Sequence, residues 1–496
     1  MEQLSGLDAS FLYLETPTLH MHVEMVTVFD PTTVPGGYSF AKMQAQIASR
    51  THQAPVFRRL LVEVPFRLGH PVWVDDPHFD IDYHVRRTAV PRPGGLRELA
   101  DLAGDIASRQ LDRSKPLWEI WIVEGLADGR IAVIAKMHHS TVDGMSGAAL
   151  LSVLFDLEAD PGPDPELPAE TVAARIPSSA ELISEAMAAR MFRPFELTRD
   201  VLRTGQRLLD VRRVRNEAEH RAPLAKAALP LSAPRTSFNG TLTRRRQVAF
   251  AAIGLADVKR LKNATGTTVN DVVLAVCTGA LRRFLLDGGE LPEKPLVAVV
   301  PVSVQPDRDA PYGSNKVSSM FVQLPANLDD PMERLVAIRE GTKGAKEEHN
   351  ALGADMLVNW AEHATPNVFA VAARLYSRMR LADRHRPIAN LIVSNVPGPD
   401  FPLYLAGAEM MAGFPLGPVM DGIGVNITIM SYRGILYWGI ISCPETMPKV
   451  WQLAADIPVA LDELLAAAGE PLAEDRSDWS AATAVGTDTS APPSGS

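Results

Sequence analysis

Along the first 160 residues short apolar runs, polar turns and amphipathic stretches alternate, the pattern of a mixed α/β domain. Two apolar runs, Trp118 to Val123 and Ile131 to Ala135, flank Asp128-Gly129, a dipeptide that marks tight hairpins. A two-residue loop there places Trp118 across from His139 and Glu119 across from His138. Beyond the second run, Gly144 permits a tight turn into a helical pattern from Met145 to Leu157.

The pattern breaks at residues 159–170, where four prolines and four acids can neither continue a helix nor join a central strand. From about 178 to 221 it turns helical, and Arg199, Arg203 and Arg207 fall on one helical face. A second α/β pattern begins near Thr236. Its strands are predicted at Gln247 to Phe250, Leu296 to Val304, Val317 to Leu324, Leu391 to Asn395, Val425 to Ser431 and Ile435 to Ser442. Tyr432-Arg433-Gly434 joins the last two as a hairpin loop. The expected organisation is an N-terminal domain over 1–160, a Pro-rich and Arg-rich helical connection over 161–235, a C-terminal domain over 236–472 and a disordered tail over 473–496.

Composition narrows the classes. With 496 residues and 46% apolar content the chain can bury two or three cores, which excludes an intrinsically disordered protein. Cys277 and Cys443 cannot build a disulfide framework or a cysteine-rich metal site; they read as buried small apolar groups in a reducing, cytoplasmic compartment. His20 and His22 share a strand face, yet no carboxylate or Cys accompanies them in the pattern, so no metal is expected. No export signal is expected, and every apolar run stops short of the ~18 residues that a bilayer span needs. A net charge of −10 disfavours nucleic acid as a partner. The charge is uneven, however: residues 190–221 hold nine Arg against five acids, leaving −14 on the rest. That stretch reads either as a solvated helix packed across two domains or as a peripheral contact with the inner membrane or lipid droplets.

The densest chemical signal is Lys136-Met137-His138-His139-Ser140-Thr141-Val142-Asp143-Gly144. Adjacent strand residues point to opposite faces, so at most one of the two histidines faces a given cavity. A neutral imidazole suits deprotonation of an alcohol attacking an activated acyl group, a reaction that needs no metal and no covalent intermediate. Asp143, after the turn, can return to fix the local geometry. Pro116-Leu117-Trp118 precedes the hairpin, and Trp118 also reads as a core aromatic. Asn270 and Asp271 open an apolar-periodic helix and read as caps. Asn395-Val396-Pro397-Gly398-Pro399 ends a strand in a rigid turn that either lines a channel or shapes the domain junction, and Ser237-Phe238-Asn239-Gly240 reads as a turn.

Taken together, the His138-His139-X-X-X-Asp143-Gly144 pattern and Pro116-Leu117-Trp118 resemble the bacterial wax ester synthase/diacylglycerol acyltransferase family. Leu4-Ser5-Gly6-Leu7-Asp8-Ala9-Ser10-Phe11 is similar to that family's opening, Thr268-Val269-Asn270-Asp271 to its Asn-Asp motif, and Ser394 to Pro399 to its Asn-Val-Pro-Gly-Pro loop. The resemblance implies an α/β fold of two chloramphenicol-acetyltransferase-like domains with a tunnel and the active site at their interface. It also implies transfer of a fatty acyl group from acyl-CoA to diacylglycerol, and in many members to a long-chain alcohol. Carried onto this chain, His139 is the general base, His138 supports it, and Asp143 with Gly144 shapes the loop. Pro116, Leu117, Trp118, Asn270, Asp271, Asn395, Pro397 and Gly398 are substrate-binding or motif-supporting positions. No cofactor is implied, acyl-CoA being a substrate. Its phosphates call for a basic mouth, for which Arg244, Arg245, Arg246 and the 190–221 stretch are candidates. A wax ester synthase acting on alcohols, a carrier-protein-dependent condensation-type acyltransferase and a non-enzymatic lipid-droplet protein stay open beside this reading.

Overall fold

In a computed structural model, residues 2–141, 153–162, 175–190, 232–304, 316–352 and 366–472 are described. Asp143 and Gly144, most of the expected 145–157 helix, Arg199, Arg203 and Arg207, and the 473–496 tail lie outside them.

The strands in the first part of the chain are β1 (Glu2–Gln3), β2 (His22–Asp30), β3 (Arg59–Val62), β4 (Val72–Asp75), β5 (Val85–Ala89), β6 (Trp118–Glu124) and β7 (Ile131–His138). Those that follow are β8 (Gln247–Gly254), β9 (Leu296–Val304), β10 (Lys316–Leu324), β11 (Leu391–Val396), β12 (Tyr404–Leu405), β13 (Ala408–Leu416), β14 (Val425–Tyr432) and β15 (Ile435–Ser442). The helices are α1 (Gly6–Leu14), α2 (Phe40–Arg50), α3 (Ile81–His84), α4 (Leu96–Ala107), α5 (Ser179–Arg190), α6 (Leu255–Thr265), α7 (Val269–Asp287), α8 (Pro331–Leu352), α9 (Pro366–Arg378) and α10 (Val450–Ala467).

Two six-stranded mixed sheets form the frame, in the orders β12-β13-β2-β7-β6-β5 and β10-β9-β11-β14-β15-β8, with β1, β4 and β3 in a small third sheet. The predicted strands of the second half are all present, and Arg433 and Gly434 turn the last hairpin with φ of 46° and 79°. No strand was expected over 404–416. There β12 and β13 leave the second half of the chain and extend the first sheet, β13 pairing antiparallel with β2.

Strand faces explain why the second half reads as nearly continuous apolar runs. On β15, Leu436, Trp438 and Ile440 pack into the core under α7 and α10, whereas Tyr437 and Ile441 join the core of the first sheet. On β8, Ala249, Ala251 and Ile253 face the second core, and Val248, Phe250 and Ala252 the first. A strand buried on both sides loses polar alternation.

The β6–β7 register corrects one expectation. Trp118 pairs with Met137 and Glu119 with Lys136, two residues away from the pairing with His139 and His138. The cause is a longer loop: Ala127–Gly129 forms a 3-10 turn in which Asp128 and Gly129 have φ of 59° and 71°. A shift of two conserves the face of every side chain, so Trp118 lies on the opposite side of the sheet from His138.

The N-terminal end of β8 is fastened to the first part of the chain. Arg246 is buried; its guanidinium donates to Thr18 O at 2.6 Å and to the carbonyls of Thr243 and Arg245, and its backbone N donates to Ser108 Oγ at 2.7 Å. Arg245 pairs with Glu445. Of the three arginines expected as a basic mouth, Arg246 is thus a strut between the two halves, because its donors are consumed by carbonyls.

Candidate active site

The site begins where β7 ends. His138 closes the strand pairing with β2, opposite His22, and donates its backbone N to Leu117 O at 3.0 Å. His139 donates its backbone N to Met21 O at 2.7 Å and opens a 3-10 turn over His139–Thr141. The strand stops here because side chains compete for the backbone: Thr141 Oγ1 donates to His138 O at 2.7 Å, and Ser140 N donates to His138 Nδ1 at 3.1 Å. The two histidines therefore diverge, as the alternation predicts.

His138 points into the protein and is 1% exposed. Because a backbone N–H can only donate, Nδ1 is the unprotonated nitrogen, and the Ser140 hydroxyl also reaches it at 2.7 Å. The neutral ring then carries its proton on Nε2, which lies 3.7 Å from Glu15 Oε2. Burial lowers the pKa of His138 against the opposing pull of Glu15, so the ring is neutral.

Glu15 ends α1 and is 8% exposed. Arg113 donates to its Oε2 through Nε at 3.0 Å and through a second guanidinium nitrogen, and Gln110 donates to Oε1 at 3.3 Å. Burial would raise this carboxyl, but His138 and Arg113 outweigh it and hold it down to about 2. Relative to an ordinary Glu near 4.5, that stabilisation is full above about pH 4.5 and is lost as pH falls toward 2. His22 Nε2 lies 3.9 Å from Glu15 Oε1, so a carboxylate does accompany His20 and His22, supplied by α1. Burial keeps the His22 ring neutral, and no group of three or more His, Cys, Asp or Glu among the described residues has the arrangement to hold a metal.

His139 takes the other direction. Its ring stacks on Phe11 with centroids 4.2 Å apart. Nδ1 is enclosed and has no hydrogen-bond partner among the described residues, which leaves Nε2 as the nitrogen able to meet a substrate. Burial first, then the neighbouring His138, pushes its pKa down to about 4, so the ring is an unprotonated base at neutral pH. The opening segment now has a physical role: Ser5 caps α1 by accepting from Asp8 N at 3.1 Å, and the helix so started carries Phe11 onto His139 and Glu15 onto His138.

The other expected positions are dispersed. Trp118 stacks on His84 at 4.3 Å and donates Nε1 to Phe57 O at 2.9 Å, so it is a core aromatic across the sheet; Leu117 and Pro116 are buried, Leu117 holding His138 through its carbonyl. Asp271 completes a capping box with Thr268 and accepts from Thr342 Oγ1 at 2.8 Å, tying α7 to α8. Asn270 beside it is half-buried, with no side-chain hydrogen bond among the described residues. Asn395 pairs with Ile429 on β14, and the Pro397-Gly398 turn leads the chain from the second sheet toward β12. Gly398 is required there, since a Cβ would stand 2.1 Å from Ser431 O. Ser237–Asn239 forms a 3-10 turn.

Sequence reasoning missed Glu15, Arg113 and Gln110. We predict that Glu15→Gln lowers kcat about tenfold with KM for the acyl donor unchanged, and costs about 1.5–3 kcal/mol of stability as a buried charge-assisted network is lost. Steady-state kinetics beside urea unfolding check this; an unchanged kcat would remove Glu15 as a positioning residue.

Known proteins resemble most of the chain. The family described as wax ester synthase/diacylglycerol acyltransferase catalytic domain matches residues 4–273, and its C-terminal domain matches 313–465. A Mycobacterium tuberculosis H37Rv protein named as a diacylglycerol O-acyltransferase is 44% identical over 94% of this chain and 90% of its own. The wax ester synthase/diacylglycerol acyltransferase of Marinobacter aquaeolei VT8 superposes with a TM-score of 0.64 at 30% identity, covering 94% of this chain and all of that one. A starter condensation domain of rhizomide synthetase shares the fold at 13% identity and a TM-score of 0.52, covering 95% of each chain. The expected two-domain fold of the chloramphenicol acetyltransferase type is therefore present. This chain belongs to the wax ester synthase/diacylglycerol acyltransferase family.

Proposed function

We propose that this protein is an acyl-CoA-dependent O-acyltransferase that moves a long-chain fatty acyl group to the hydroxyl of diacylglycerol, giving triacylglycerol and free CoA. The observation that carries the reading is His139: a neutral imidazole stacked on Phe11, with Nδ1 enclosed, in a chain of this family. His139 Nε2 takes the hydroxyl proton as that oxygen attacks the thioester carbonyl. The tetrahedral adduct collapses, the carbon–sulfur bond breaks, and the imidazolium returns its proton to the departing CoA thiolate. The step balances without a cofactor or an acyl-enzyme. Asp143 and Gly144 keep their proposed part in shaping the loop.

The acceptor is supported by the names of relatives, and a wax ester synthase is the reading that competes with it. Full-length protein given labelled palmitoyl-CoA with dioleoylglycerol and hexadecanol in competition is expected to make labelled triacylglycerol as the main product. Predominance of hexadecyl ester would overturn the acceptor assignment. Failure with both acceptors, alongside activity on a carrier-protein thioester, would overturn the donor assignment.

A further inference from the structure

We infer that the outer face of α9 and the turn after it form a docking surface for an anionic lipid layer. This rests on the proposed use of a lipid acceptor, and concerns a face distant in sequence from the 190–221 stretch. Val371, Leu375 and Met379 recur every four residues and make an outward stripe; they are 60%, 51% and 44% exposed. Ile388, beyond the turn, adds a further apolar side chain at 46% exposure.

Charge decides what the stripe meets. Residues 371–388 carry five arginines and one acid in a chain of net charge −10. Arg380 is paired with Asp383. The exposed side chains of Arg374, Arg378, Arg384 and Arg386 form no ion pair among the described residues. Arg374 and Arg378 lie on the flank of the stripe, one and three residues from Leu375. Exposed apolar side chains edged by exposed guanidinium groups match a layer with anionic headgroups above acyl chains, which satisfies both at once. A protein partner would need acids to meet the same arginines without a matching need for so thin an apolar stripe.

The inner face of α9 joins this surface to the reaction. Ala370 packs in a cluster with Leu4, Ala9, Leu12 and Tyr13, and Ser377 Oγ is 3.2 Å from Thr18 Oγ1. α9 thus rests on α1, the helix whose Phe11 stacks on His139. A lipid layer on the outer face is thus separated from the proposed base by α9 and α1.

The test is co-sedimentation of the full-length protein with phosphatidylglycerol/phosphatidylcholine vesicles and with phosphatidylcholine vesicles, at low and high salt and without substrates. Wild type is expected to favour the anionic vesicles at least about tenfold, with the preference reduced by salt. Val371→Glu with Leu375→Glu, and separately Arg374→Gln with Arg378→Gln, are each expected to weaken partitioning about tenfold while melting temperatures stay unchanged. Retained binding in either pair, or no preference in wild type, overturns the inference; so does a wild-type dimer that Leu375→Glu dissociates while vesicle binding persists. Because no substrate is present, the outcome is independent of which acceptor the enzyme uses.

Discussion

His139→Ala is expected to lower kcat/KM for acyl transfer by at least about 10²–10⁴-fold, the usual contribution of a positioned general base, while the protein stays folded. His139 lies past the last paired residue of β7, so truncating its side chain leaves the strand pairing with β2 in place. CoA release followed with a thiol reagent, beside a melting curve, checks both halves; activity within tenfold of wild type would end the assignment. The same ring sets the acid side of the pH profile. Its pKa is lowered to about 4 by burial and by His138, so the basic form persists well below the 6.5 of a free imidazole. Activity should hold as pH drops past 6 and fall only as it nears 4, and an acid limb at 6.5 would show that the ring is solvated. Stability follows the same sign. A buried neutral His favours the fold fully above pH 6.5, and that contribution fades as pH falls toward 4.

Gly439→Ala is expected to cost about 3 kcal/mol or more, the range for overpacking against backbone that cannot retreat. Gly439 sits in the middle of β15, paired with Thr428 on one side and Phe250 on the other. It shares a face with Tyr437 and Ile441, the face turned toward the first core. There β13 crosses so closely that a Cβ would stand 1.9 Å from Pro415 O and 2.9 Å from Leu416 Cδ2. Neither strand can move, since β13 is paired with β2 and β15 with two neighbours. Urea unfolding should show a clear fall in midpoint, and a midpoint equal to wild type would mean that the crossing is looser than the structure shows.

Much of the fold was legible because its cause is local. A run such as Leu296–Val300 is apolar because it is a largely buried stretch of strand, and the turn at Arg433-Gly434 announces itself by residue type. Strand alternation foretells the His138-His139 divergence, although His139 itself stands in the 3-10 turn past the end of β7. Other features had a signal but no address: an isolated glycine inside the apolar run of β15 marks a close backbone approach without saying to what. Trp118 beside the strand that bears the two histidines invited a contact that the longer hairpin loop and the opposite sheet face deny.

The sequence by itself determined that this chain builds α/β units, that its densest motif stands at the end of one strand, and that two adjacent histidines there turn apart. Those properties depend on periodicity and on the identity of neighbours within a few residues. Only the tertiary structure decided which groups surround the pair: Phe11 on His139, and Glu15 with its partner Arg113 on His138. Glu15 and Arg113 stand 98 positions apart, and β13 reaches the first sheet across more than 370 residues from its partner β2. Closing such distances depends on where two cores meet, a sum over many weak contacts that no short window of residues contains.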